Sequence, residues 1–222
     1  MKQNTTILIA VVVGAIALTS CSGSSVNTDV TTDATTQVKI GNQYWATTNL
    51  GVSTFRNGDS IPEAKTAEEW LKACNNKQPA WCYYDNDPAN GSKYGKMYNW
   101  YAVSDARGLA PKGFHIPSDA EWTELTDFLG GDVGVGTALK STTGWNGGGN
   151  GSNSTGFSAL PGGSRLIKGS FDDIGNLGVW WSSTEFSWAS AWSRELGYKD
   201  AAVGRNAYFK AIGGLSVRCI RD

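Results

Sequence analysis

Three regimes of hydrophobic and polar patterning divide the chain. Ile7 to Leu18 is an unbroken apolar run, and Ser22 to Thr36, SGSSVNTDVTTDATT, carries short polar side chains with no aromatic and no apolar period. From Gln37 onward aromatic residues are interleaved with Gly, Asn and Ser. Helical signals in this third regime are few. Thr66-Ala67-Glu68-Glu69 and Ser118-Asp119-Ala120-Glu121 both have the capping-box pattern, in which the hydroxyl accepts from the amide three residues on and the Glu reaches back to the cap's own amide. Each predicts the start of one short helix. The second continues with Trp122, Leu125, Phe128 and Leu129, spaced to line up one apolar face, and Gly130-Gly131 predicts its end. The remainder, as in WNGGGNGSNSTGF (145–157), LPGGSR (160–165) and GNLGVWWSST (175–184), predicts short strands joined by long irregular loops.

The first two regimes predict export. Lys2 followed by an apolar run too short to cross a bilayer is the pattern of a signal peptide, assigned to residues 1–20. Leu18-Thr19-Ser20-Cys21 places small residues before a cysteine, as cleavage of a bacterial lipoprotein requires, so Cys21 is expected to carry the lipid and anchor the chain to a membrane. Residues 21–36 then form a flexible tether, because such side chains cannot repay the entropy of ordering. Residues 37–222 form one domain, long enough to bury a core.

Composition narrows the function. Loss of Lys2 with the signal peptide takes the formal charge from −1 to −2, a balance that gives no footprint for nucleic acid. Ten Trp let a loop-rich domain bury a large area with few regular elements. Cys74, Cys82 and Cys219 lie in a chain bound for a compartment where disulfides form; they allow one bridge and one leftover thiol, and spacing does not choose among the pairings.

Catalytic sets are sparse. With His115 the only histidine, a Ser-His-Asp or Cys-His arrangement would have to use it, and no G-x-S-x-G elbow, C-x-x-C or H-E-x-x-H is present. His115 stands just outside the second helix, before Pro117, and reads as a structural residue; Asp119 and Glu121 complement the helix dipole in the first turn. The glycine run at 147–151 fits neither dinucleotide nor P-loop spacing and reads as loop. Asp85, Asp87 and Asn90 are a weak calcium candidate, one residue out of register with the familiar loop and without its distal Glu; turn formation accounts for the same residues. Asp172-Asp173 reads as a solvated turn. The segment 187–209, SWASAWSRELGYKDAAVGRNAYF, is different. It mixes Trp188, Tyr198, Tyr208 and Phe209 with Lys199, Arg205 and Asn206, a composition that recognition surfaces favour, whereas Trp192 with Leu196 reads as core.

Several longer motifs converge: IGNQYWATTNL, PAWCYYDNDPANGSKYGKMYNWYAV, LAPKGFHIPSDAEWTELTDFLGG, GFSALPGGSR, GVWWSSTE and GLSVRCIRD. Together they resemble the Fibrobacter succinogenes major paralogous domain family over nearly all of residues 38–222. The resemblance implies an α+β, C-type lectin-like fold related to the sulfatase-modifying factors: two short helices with short antiparallel strands and long irregular loops. It does not carry their oxygen-activating chemistry, which needs a close cysteine pair where this chain has only Cys219, nor calcium-dependent sugar binding, whose signatures are missing. Relatives place a cysteine where this chain has Ala110, which leaves the partner of Cys219 open. The late strands and loops, where 187–209 falls, are the ligand face that the resemblance implies.

The expectation is therefore a lipid-anchored lipoprotein of the cell envelope, in the outer membrane, that binds a glycan or a protein without catalysis and without a required cofactor. The alternatives are a structural accessory subunit of an outer-membrane complex, and an enzyme using a solvent-accessible His115 as base.

Overall fold

The computed structural model describes residues 36–166, 168–211 and 213–222. The expected signal peptide, the lipidation at Cys21 and the tether before residue 36 lie outside the described residues. In chain order the elements are β1 (Gln37–Ile40), β2 (Gln43–Ala46), α1 (Ala67–Asn75), β3 (Trp81–Cys82), α2 (Pro88–Tyr94), β4 (Met97–Tyr98), α3 (Trp100–Val103), β5 (Phe114–His115), α4 (Asp119–Leu129) and α5 (Gly136–Leu139). There follow β6 (Gly162–Arg165), β7 (Phe171–Ile174), β8 (Leu177–Glu185), β9 (Ser190–Gly197), β10 (Val203–Phe209), β11 (Leu215–Ser216) and β12 (Ile220–Arg221).

Both capping boxes form. Thr66 accepts from the Glu69 amide and Ser118 from the Glu121 amide, with each Glu reaching back to its cap. Gly130, at φ 111°, terminates α4 in the left-handed conformation that a side chain would strain. The apolar face of α4 is narrower than its spacing predicts: Trp122 and Leu125 are buried, but Phe128 is 63% exposed. Its ring lies against Gly41 in the β1–β2 turn, where an added Cβ would sit 2.9 Å from it.

The fold corrects the C-type lectin-like expectation. An eight-stranded mixed sheet runs β10-β9-β8-β11-β4-β3 with β6 and β7 branching from β8, and a separate sheet runs β1-β2-β12-β5. The β8–β11 and β6–β8 pairings are parallel, β8 and β9 extend over nine and eight residues, and helices beyond the two capping-box ones occur. This β-rich arrangement is not clearly a C-type lectin fold.

The long strands escape a period-two reading because the central ones are covered on both faces. Adjacent residues of a strand point to opposite faces, so Trp180 and Trp181 serve different cores. Trp180 packs with Trp45, Trp122, Phe157 and Leu196, and its indole N–H donates to Asn49 Oδ1 at 2.8 Å. Trp181 packs with Trp100, Val217 and Cys219, and its N–H donates to Tyr98 O at 2.9 Å. A third core holds Trp70, Cys74, Cys82 and Met97. Cys74, Cys82 and Cys219 are buried free thiols where one bridge is expected; Cys219 belongs to a different core from Cys74 and Cys82, which share one without being bonded.

Candidate binding face

The site is built on the β8–β9–β10 hairpins. β9 and β10 pair antiparallel with Ala207 opposite Trp192, Arg205 opposite Arg194 and Phe209 opposite Ser190. Alternation therefore puts Arg205 and Phe209 on the face that carries Trp192, and Asn206 and Tyr208 on the other. On the first face α4 covers Leu196, which shares a core with Trp122 and Leu125. Arg194 reaches Asp119 at the start of α4, and Trp192 stands beyond that point.

Asp119 is the hub. Its carboxylate accepts from Arg194 Nη1 at 2.5 Å and from Arg205 Nη2 at 2.6 Å; Arg194 also donates to Asp119 O and to Thr123 Oγ1. Burial alone would raise the Asp119 pKa, but hydrogen bonds from Arg205 and Arg194 outweigh it and hold the carboxyl below its ordinary value. The ion pair lays the Arg205 guanidinium 3.6 Å over the Trp192 ring, and Phe186 meets the same indole edge-on with centroids 4.6 Å apart. Beside this stack Phe186 is 55%, Phe209 58% and Trp188 92% exposed.

Trp188 is exposed on a braced turn. Lys210 is buried beneath it, donating to Ser187 O at 2.7 Å and pairing with Glu185 at 2.8 Å. The Ser187 hydroxyl accepts from the amides of Ala189 and Ser190. The bracing fixes the backbone of the turn and so the point from which the indole projects into water.

The residues singled out from sequence are thus divided. Arg205 and Phe209 share one face with Trp192, against which Phe186 packs, and Trp188 stands exposed on the adjoining β8–β9 turn. Asn206 donates to Glu195 on the opposite face, where Tyr208 packs edge-on against Trp181 at 5.8 Å, so both serve the sheet. Tyr198 and Lys199 lie at the far end of β9, on the order of 30 Å from Trp188 along the strand. There the Tyr198 ring meets Gly147, with the Lys199 ammonium 5.3 Å from its centroid. Sequence alone missed Phe186, one residue outside the segment, and assigned Trp192 to the core. It gave no sign of the Asp119–Arg205 pair, which spans 86 positions.

The weak calcium candidate divides likewise. Asp87 caps α2 by accepting from the Ala89 amide, Asn90 donates to Tyr84 O, and Asp85 takes a left-handed turn conformation at φ 54°. Turn and cap roles account for all three.

His115, 39% exposed in its side chain, borders a groove of about 580 Å³ with Tyr44, Glu121, Arg221 and Asp222. Nε2 lies 2.7 Å from Glu121 Oε1 and Nδ1 2.9 Å from Asp222 Oδ1. Burial would lower its pKa, but the hydrogen bonds to Glu121 and Asp222 prevail and raise it. Two carboxylate partners are satisfied together only by the doubly protonated ring.

Against known proteins, the family model described as the Fibrobacter succinogenes major domain matches residues 38–221. No curated protein and no solved structure matches the chain.

Proposed function

The chain belongs to the Fibrobacter succinogenes major domain family, and on that premise we propose that it is a cell-envelope lipoprotein, anchored in the outer membrane through Cys21, that works as a non-enzymatic binding module for a glycan or protein partner. The observation that carries this reading is the braced, 92% exposed Trp188 beside Phe186, Phe209 and the Arg205-on-Trp192 stack. Large rings exposed together mark a recognition surface. A flat guanidinium on an indole adds a donor edge that matches a sugar hydroxyl or a carboxylate. The face is narrower than the segment read from sequence: Tyr198, Lys199, Asn206 and Tyr208 fall outside it.

The enzyme alternative keeps its candidate base: His115 is partly exposed and borders a groove, with its two ring nitrogens held by Glu121 and Asp222.

The test is a glycan array together with an envelope pull-down, run on the wild-type chain and on a Trp188→Ala/Arg205→Ala/Phe209→Ala variant. A ligand captured by the first and lost by the second is the expected result. Undiminished capture by the variant would sink the site. A stoichiometric membrane-protein partner with no sugar bound would point to the accessory-subunit role instead.

A further inference from the structure

From the groove along α4 we infer a second docking surface, one that takes a basic, extended segment of a protein partner. Ala120, Glu124, Asp127 and Phe128 recur three and four positions apart, so their side chains form one stripe along the helix. The opposite wall is the β1–β2 turn with the start of β2. One part of the groove, about 500 Å³, is lined by Gly41, Asp127 and Phe128, and the other, about 580 Å³, by Tyr44, His115 and Arg221. Asn42, Gln43 and Glu124 line both, so the two parts are continuous.

The two parts differ in charge. Around His115 the acids are matched: His115 bonds Glu121 and Asp222, and Arg221 lies alongside. In the Phe128 part, among the described residues, the charges in the lining are Glu124 and Asp127, both negative. Both are exposed, and among the described residues neither carboxylate has an ion-pair or hydrogen-bond partner. Asp127 stands in the last turn of α4, which holds no basic residue, where the negative end of the helix dipole disfavours an anion. Glu124, three positions earlier, sets a like charge beside it. Two local penalties at one spot are left uncompensated by the chain itself, and one incoming cation relieves both.

The occupant follows from charge complementarity and length. An ammonium or guanidinium seated between Glu124 and Asp127 meets two carboxylates at once. The Phe128 ring beside them, 63% exposed, offers its face to that cation and its apolar surface to the next side chain. From Glu121 to Phe128 the helix rises about 10 Å, the span of three or four extended residues. A segment of that length with a Lys or Arg next to an apolar residue therefore matches the groove in both chemistry and reach. This surface is separate from the Trp188 turn, and the inference stands whether or not that turn and its neighbours bind the proposed ligand.

The test titrates the full chain, in mild detergent with detergent alone as blank, into a fluorescein-labelled peptide of two lysines flanked by leucines and follows anisotropy. A second peptide carries glutamates in place of the lysines. The lysine peptide should bind saturably and about ten-fold or more tightly than the glutamate one. Glu124→Gln/Asp127→Asn, which keeps the shape of both side chains, should weaken it about ten-fold or more, and Phe128→Ala should weaken it as well. Glu68→Gln/Asp85→Asn removes the same charge from exposed positions elsewhere and should leave binding unchanged. All variants should unfold at the wild-type temperature or above, since neutralising Asp127 relieves the helix end. No saturable binding by the wild-type chain, equal binding of both peptides, or an equal loss in the Glu68→Gln/Asp85→Asn control would overturn the inference. So would a groove variant whose sedimentation shows lost self-association, which would give the groove to a second copy of the chain.

Discussion

Asp119, in the first turn of α4, holds Arg205 of the edge strand through a 2.6 Å ion pair while its other oxygen takes Arg194. One carboxylate thus ties the helix start to two neighbouring strands and flattens a guanidinium on the surface that carries the exposed rings. The two arginines are unequal partners. The side chain of Arg194 is 2% exposed and that of Arg205 is 44% exposed.

That inequality sets the first prediction. Asp119→Ala leaves Arg194 buried without its counter-charge and should cost about 3 kcal/mol or more. Arg205→Ala removes only a solvent-screened partner and should cost about 1 kcal/mol or less. Urea unfolding of the two variants checks the difference, and equal losses would contradict the hub. The folded pKa of Asp119 is depressed, so its contribution is present above the unfolded carboxyl value and lost as pH falls through the folded one. The stability gap between wild type and Asp119→Ala should therefore narrow in acid.

His115 obeys the opposite sign. Its folded pKa is raised by Glu121 of α4 and by Asp222 after β12, in a groove that also holds Tyr44, Glu124 and Arg221. The contribution is full below the unfolded histidine value and is lost as pH rises through the folded one. Because the ring is partly exposed, the effect should be on the order of 1 kcal/mol or less. Melting temperatures of wild type and His115→Gln should differ most in mildly acidic buffer and converge at alkaline pH. Divergence on raising the pH would exclude the clamp.

What could be read in advance was local. The helices at Thr66 and Ser118 were legible because a capping box is complete within four positions. Phe128 was misassigned because the spacing that aligns it with Trp122 does not say where the covering layer ends; the Gly41 turn leaves that end of α4 beside an open groove. The β8–β10 surface was legible as aromatic and polar but not as two faces. Strand alternation, once the register is known, sends Asn206 and Tyr208 away from Arg205 and Phe209. The parallel β8–β11 and β6–β8 pairings and the Asp119 hub join residues far apart in sequence, and no periodicity records them.

Burial makes a prediction for the thiols. It pushes Cys74 and Cys82 up to about 11 and Cys219 up to about 12, and only the thiolate attacks a disulfide reagent. At pH 8 in the native state these three cysteines should be unreactive, and all three should titrate once the chain is denatured. A single thiol on denaturation, with two more released by reductant, would instead reveal a bridge.

Trp181, buried on the other side of the sheet, and Trp188, exposed on the β8–β9 turn, should separate folding from binding. Trp181 is fully buried, donates to Tyr98 O and packs edge-on with Trp100 and Tyr208. Truncating it to Ala removes a large buried ring and orphans a buried carbonyl, which should cost about 3–5 kcal/mol. Trp188 is 92% exposed, so Trp188→Ala should change stability by about 0.5 kcal/mol or less while weakening capture of the partner about ten-fold or more if the ring is a binding anchor. Thermal unfolding and capture are therefore measured on the same two variants. A Trp188→Ala chain that binds like wild type would remove the anchor. One that melts like Trp181→Ala would show that the braced turn depends on the indole, and that its exposure serves the fold.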